Sequence, residues 1–201
     1  MKKGFLQKIL RLKQTVFSFK ELLLFLRTDD VQTVKSQVNY YVKKGDLYNI
    51  RRGLYAKDAQ YDPREVATKI FTPAYISFET VLLQAGINFQ LTTEIHVASY
   101  QTRTIECDKQ IYVFRKLKSS ILMNTMGIEL QDTYSIASPK RAFLDIIYLQ
   151  KSYHFDNLDP LNWDKVYLLL PIYGGNKRIE KMVRMYHESY LQQKNEANND
   201  S

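Results

Sequence analysis

Cysteine is almost missing from this sequence: one residue, Cys107, stands among 201. A single thiol excludes an internal disulfide framework and any multi-cysteine zinc site, and it points to a reduced compartment. Long apolar runs are missing too. The longest, Leu22 to Leu26 and Val166 to Tyr173, fall far short of the ~20 residues that a membrane span needs. Lys8, Arg11 and Lys13 interrupt what would have to be the apolar segment of a signal peptide. The expectation is a soluble cytoplasmic protein with no membrane partner. Low-complexity tracts and internal repeats are also absent. Apolar residues at 45% and charged residues at 25% fit a chain that folds around a core. Its length is that of one large domain or two small ones.

Acids are scarce in the first quarter. Residues 1–57 hold 13 Lys/Arg against four acids (Glu21, Asp29, Asp30, Asp46), whereas residues 58–201 hold 16 bases and 17 acids. The whole net charge of +8 therefore belongs to residues 1–57. A basic segment beside a near-neutral one suggests that the first part faces a polyanion while the second does something else.

Three helices and a hairpin are readable in the basic segment. Phe5, Ile9 and Leu12 recur at helical spacing, with Leu6 and Leu10 beside them. A break follows at Thr15-Val16-Phe17. Ser18 precedes Glu21 by three residues, the capping-box spacing, and opens a second helix through about Arg27. Thr28-Asp29-Asp30 supplies a turn and a cap for a third helix, which Gly45 stops. Two helices joined by so tight a turn form a helix-turn-helix arrangement.

Projecting the third helix at 100° per residue from Val34 puts Val31, Val34, Val38, Tyr41 and Val42 within about −20° to 80°, a buried stripe. Gln32, Thr33, Ser36, Asn39, Tyr40 and Lys43 fall opposite, near 140–260°, with Lys35 and Lys44 at the flanks. From Val31 to Lys44 there is no acid. Asn and Gln can pair bidentately with adenine in the major groove, Ser and Thr bond base edges or phosphates, and Lys neutralises phosphate. After Gly45, residues 46–57 read as a hairpin with Gly53 in its short loop, where a positive φ is needed. Arg51 and Arg52 sit at its tip, placed to reach a phosphate or a flanking minor groove. The candidate DNA-binding residues are thus Gln32, Thr33, Lys35, Ser36, Asn39, Tyr40, Lys43, Lys44, Arg51 and Arg52.

The rest reads as a mixed domain. Asp62-Pro63 starts a helix to about Phe71, and Ser77 caps another that Gly86 closes. From Thr93 to Ile136 the apolar period becomes two. Residues 94–98, 102–106, 110–114 and 128–136 read as short strands, with turns at Asp108-Lys109 and Asn124 to Gly127. Ser138-Pro139 begins a further helix, and helices over 161–172 and 176–193 close the chain around a break at Gly174-Gly175. The predicted fold is α+β: a winged helix-turn-helix over residues 1–57, short antiparallel strands flanked by helices over 58–194, and a disordered tail over 195–201.

Catalytic chemistry is hard to find. Glu94 and His96 share one face of a predicted strand but lack a third ligand, and His154 and His187 lie in unrelated contexts. Cys107 has Asp108 beside it, which disfavours a thiolate. Residues 174–178 lack the glycine spacing of nucleotide loops. Arg141 and Asp145 form an i, i+4 pair of structural type. Neither catalytic residues nor a metal or cofactor is expected.

Three segments together resemble the AbiEi family of antitoxins from bacterial type IV toxin–antitoxin systems. They are residues 51–56 (Arg51-Arg52-Gly53-Leu54-Tyr55-Ala56), the segment from Tyr75 to Ile87, and Ile136 to Asp145, with Lys140 where the family more commonly has Glu. The resemblance implies an N-terminal winged helix that represses its own operon through promoter inverted repeats. It also implies a C-terminal domain that counteracts a toxin with a nucleotidyltransferase-like fold, without a stable complex, in abortive infection and phage defence. Two other readings remain open at this point: a winged-helix regulator whose second domain senses a ligand or partner, and a nuclease, which would need clustered carboxylates.

Overall fold

The computed structural model describes residues 4–199. Lys2 and Lys3 of the basic segment, and residues 200–201 of the tail, lie outside the described residues. The first unit runs α1 (Phe5–Leu10), β1 (Val16–Ser18), α2 (Phe19–Leu26), α3 (Val31–Lys44), β2 (Tyr48–Arg51) and β3 (Leu54–Ala56). Its strands form an antiparallel sheet in the order β1-β3-β2. Residues 16–18, expected as a break between helices, are the third strand of that sheet. A three-residue strand is too short to show a period of two, so its partner β3 defines it.

Local chemistry sets the helix ends. The Ser18 hydroxyl accepts from Glu21 N–H at 3.2 Å while the Glu21 carboxylate accepts from Ser18 N–H at 2.7 Å, which completes the expected capping box. Asp30 caps α3 by accepting from Thr33 N–H at 3.0 Å, and Gly45 ends it at φ +82°.

The second unit runs α4 (Pro63–Ile70), β4 (Ala74–Ile76), α5 (Phe78–Gln84), β5 (Ile95–Ser99), β6 (Arg103–Cys107) and β7 (Gln110–Lys116). It continues through α6 (Ser119–Leu122), β8 (Ile128–Gln131), β9 (Tyr134–Ala137), α7 (Pro139–Leu149), α8 (Trp163–Leu169) and α9 (Lys177–Asn199). The chain is α+β, as expected, but its large sheet is mixed rather than antiparallel. In the order β6-β7-β5-β4-β9-β8, the pairs β5–β7 and β4–β9 are parallel. Alternating apolar residues define the faces of a strand and say nothing about its direction. Residues 128–136, read as one strand, are a hairpin that turns at Asp132, whose φ is +53°. The expected helix over 161–172 divides into α8 and a 3₁₀ turn at Leu170–Tyr173. The tail expected to be disordered from residue 195 is helical through Asn199. Polar composition alone does not stop a helix that already has an N-terminal nucleus packed on a core.

Two apolar cores lie on opposite faces of the small sheet. Phe17 joins Phe5, Ile9, Leu22, Val34, Val38 and Leu47 in the smaller one, with Tyr55 packed against it. Val16, Leu54 and Ala56 point the other way, into the larger core of the second unit. The expected division after Lys57 thus falls at the end of a strand that both cores share. Glu65 of α4, almost fully buried, clamps the join. Its carboxylate accepts from Thr15 N–H at 2.9 Å, from Val16 N–H at 2.7 Å and from the Thr133 hydroxyl.

Candidate nucleic-acid interface

Burial of Val34 and Val38 fixes the rotation of α3, and Tyr41 and Val42 pack partly against the same core. Val31, expected in this stripe, is instead 45% exposed, because the first turn of α3 extends past the small core. The opposite face is open: Gln32, Thr33, Lys35, Ser36, Asn39, Tyr40, Lys43 and Lys44 are all exposed. The Tyr40 ring meets Tyr41 edge-on at 5.2 Å, and Tyr41 stacks on Phe5 of α1 at 5.4 Å, so the exposed ring stands on a packed base.

Two of the carboxylates near this face, Asp30 and Asp46, have partners of their own. Asp30 caps α3, and the Thr33 bonds hold its pKa below the ordinary carboxylate value. Asp46 sits 3.0 Å from Lys44, and the nearby carboxylate raises the Lys44 pKa. Lys44 is therefore tied to the end of its own helix. Among the described residues, Lys35, Lys43, Arg51 and Arg52 form no salt bridge.

The β2–β3 hairpin follows α3 directly, and the Asp46 and Leu47 N–H groups both bond to Tyr41 O. Arg51 and Arg52 are exposed at its tip beside Gly53, whose φ is +79°. The tip is anchored through its backbone, because Phe19 N–H at the start of α2 donates to Gly53 O at 2.9 Å. Ladder register pairs Asn49 with Tyr55, which packs on the smaller core. Exposed Asn49 is thus directed to the side of the sheet on which α3 lies, a polar group that sequence analysis did not select.

A second anchor comes from the other unit. Asp108, at the β6–β7 turn, accepts from the Tyr48 hydroxyl at 3.1 Å and the Tyr61 hydroxyl at 2.7 Å, and its hydrogen bond raises the Tyr48 pKa. Sequence analysis missed this contact and the Glu65 clamp. Each spans about fifty residues or more of chain, a separation that no local pattern encodes.

The residues considered for chemistry have structural partners. Arg141 and Asp145 are both 0% exposed. Arg141 Nε lies 3.3 Å from Asp145 Oδ1, and its other nitrogens donate to Ile121 O, Met126 O, Asn124 O and the Tyr75 hydroxyl. Asp145 also accepts from the hydroxyls of Tyr75, Ser77 and Tyr173 at 3.0, 2.8 and 2.7 Å. Burial pushes the Asp145 carboxyl up; Arg141 and the three hydroxyls oppose it. Ser77 flanks α5 as expected, but its hydroxyl serves Asp145 instead of capping the helix. Two of the three segments quoted for the AbiEi resemblance meet in this network, and Ile76 pairs with Ile136 beside it.

His96 is buried between Glu79, 3.3 Å from Nδ1, and Glu94, 3.5 Å from Nε2, with Arg115 Nη2 3.2 Å from Nδ1. The two carboxylates approach opposite edges of the ring. No metal-holding group of three ligands occurs among the described residues. His154 pairs with Asp156, and His187 stacks on Trp163, so the histidines do not converge. Arg178 of the Gly174–Gly175 segment turns inward to Ile147 O, Tyr148 O and Gln150 O, closing the C-terminal end of α7. Among the described residues, no helix is long and apolar enough to cross a membrane. Neither a protein-family model nor a curated protein sequence matches the chain.

Proposed function

We propose that this chain is a DNA-binding antitoxin of a toxin–antitoxin system, whose first unit is a winged helix that represses its own operon. The observation that carries the DNA-binding part is the acid-free, exposed outer face of α3 beside the anchored Arg51–Arg52 tip. In this reading α3 enters the major groove, and the hairpin is the wing that holds adjacent backbone or minor groove. Two copies on promoter inverted repeats fit the symmetry such sites require. The antitoxin part is supported by the AbiEi resemblance. The second unit would counteract a nucleotidyltransferase-like toxin without a stable complex, and the protein would act in the cytoplasm in phage defence. No catalytic role, metal or cofactor enters this reading.

The test of DNA binding is the salt dependence of duplex affinity. The Arg51→Ala/Arg52→Ala double variant should bind more weakly on every sequence and flatten the slope by about one phosphate per lost contact. An unchanged slope removes the wing from the mechanism. For the antitoxin part, the chain should rescue growth when co-expressed with a nucleotidyltransferase-like protein encoded beside it; failure of rescue removes it.

A second reading, a winged-helix regulator without a toxin, is favoured by one feature. A groove of about 570 Å³ opens where the units meet, lined by Ser18, Glu21, Lys69, Thr72, Thr133 and Tyr134 among others. A small molecule seated there would touch the first turn of α2 and α4 at once. Loss of repression on adding a metabolite extract, with no toxin present, would favour this reading.

A further inference from the structure

On the DNA-binding reading above, we infer that the operator is A·T-rich, read as adenine and thymine by α3 in the major groove and as a narrow minor groove by the wing. The inference rests on which functional groups the fold leaves free. The outer face of α3 offers Gln32, Thr33, Ser36 and Asn39 to solvent: two amides and two hydroxyls. An amide matches the N6 donor and N7 acceptor of adenine in one bidentate contact, and the Thr methyl matches the thymine methyl. The commonest bidentate partner of guanine is arginine, and α3 contains none.

The cations of α3 do not replace it. Lys43 is on the outer face and forms no salt bridge but sits in the last turn, past the four amide and hydroxyl groups, and Lys44 beside it is held by Asp46. Lys35 lies about 100° from Val34, at the border of the buried stripe and away from the centre of the reading face. Within α3 itself there is also no carboxylate to accept from the cytosine amino group.

The wing adds an independent preference of the same kind. Two adjacent exposed guanidinium groups on a tip fixed by the Phe19–Gly53 backbone bond suit a minor groove narrowed by A·T tracts. There the negative potential is deepest, and the guanine amino group does not obstruct.

The two grooves can be tested separately with modified pairs. An inosine·cytosine pair presents the major groove of G·C and the minor groove of A·T; a diaminopurine·thymine pair does the reverse. Fluorescence anisotropy with the full chain at fixed physiological salt would compare equal-length duplexes of A·T-rich, G·C-rich, inosine·cytosine and diaminopurine·thymine composition. The A·T-rich duplex should bind at least about tenfold more tightly than the G·C-rich one, the scale of a single bidentate contact. The Asn39→Ala variant should lose the distinction between A·T and inosine·cytosine. The Arg51→Ala/Arg52→Ala variant should lose that between A·T and diaminopurine·thymine. All three side chains are exposed, and unchanged melting temperatures would confirm intact folding.

Equal binding to A·T-rich and G·C-rich duplexes would overturn the base preference while leaving DNA binding intact. An A·T preference that survives in both variants would overturn the assignment to these readers. Failure to bind any duplex would overturn this inference together with the function on which it rests.

Discussion

In α7 a charged pair is sealed from solvent with a partner for each nitrogen and oxygen, whereas on α3 and the tip of the β2–β3 hairpin most of the cations stand in water without a salt bridge. Arg141 and Asp145 face Tyr75, Ser77, Tyr173 and three backbone carbonyls. Lys35, Lys43, Arg51 and Arg52 face none of the acids among the described residues. A buried ion pair is costly to desolvate and is retained only with a complete hydrogen-bond shell, so it binds parts of a fold to one another. Exposed like charges repel and stabilise little, so their grouping makes most sense when an external polyanion completes it. The two regions therefore divide into a scaffold held by internal charge and a surface with its charge unmatched.

The sharpest way to break this comparison is to open the scaffold. Asp145→Ala leaves the Arg141 guanidinium buried without its counter-charge and should cost about 3–5 kcal/mol in a denaturant titration. On the proposed DNA-binding function, whatever fraction remains folded should bind duplex with the affinity of the parent. Loss of affinity in that fraction would mean that the network also shapes the interface.

Next in size is the join. Glu65→Ala strips acceptors from the Thr15 and Val16 N–H groups and should cost about 2 kcal/mol, because the Val16 group is buried. It should also increase hydrogen exchange in β1 before it does so in β5. Uniform exchange across both strands would show that the clamp does not separate the units. Within the first unit, Ser18→Ala removes one half of the capping box and should cost about 1 kcal/mol by thermal unfolding.

The smallest effect is one of pH. Burial is the main force holding the His96 pKa below its usual value of 6.5; Arg115 lowers it further, and Glu79 and Glu94 oppose. The unfolded chain therefore takes up a proton first as pH falls. Stability should decline from about pH 6.5 downward, levelling once the folded ring also protonates. His96→Gln should flatten that part of the profile measured by melting temperature. An unaltered profile would assign the pH response to other groups.

The features legible in the sequence were those written in neighbouring residues. The Ser18–Glu21 box, the Asp30 cap, the Gly45 stop and the Gly53 turn all fall where their spacing put them, because each is a bond within four residues or a positive φ at one. The eight candidate residues on α3 are exposed for a related reason: the helical repeat that buries Val34 and Val38 turns them outward. The Asp108 anchor, the Glu65 clamp and the three hydroxyl partners of Asp145 were not legible. Nor were β1, the parallel strand pairs and the hairpin inside residues 128–136.

Sequence by itself determined where α2 and α3 begin, where α3 ends, which face of α3 is polar, and that the positive charge gathers in residues 1–57. These follow from backbone sterics, side-chain caps and composition, all of which act over one or two turns. Only the tertiary structure decided that one short sheet would serve two cores, that Asp108 would hold the hairpin, and that Arg141 would be enclosed. Such pairings depend on which distant surfaces exclude water together, and that is settled when the whole chain packs.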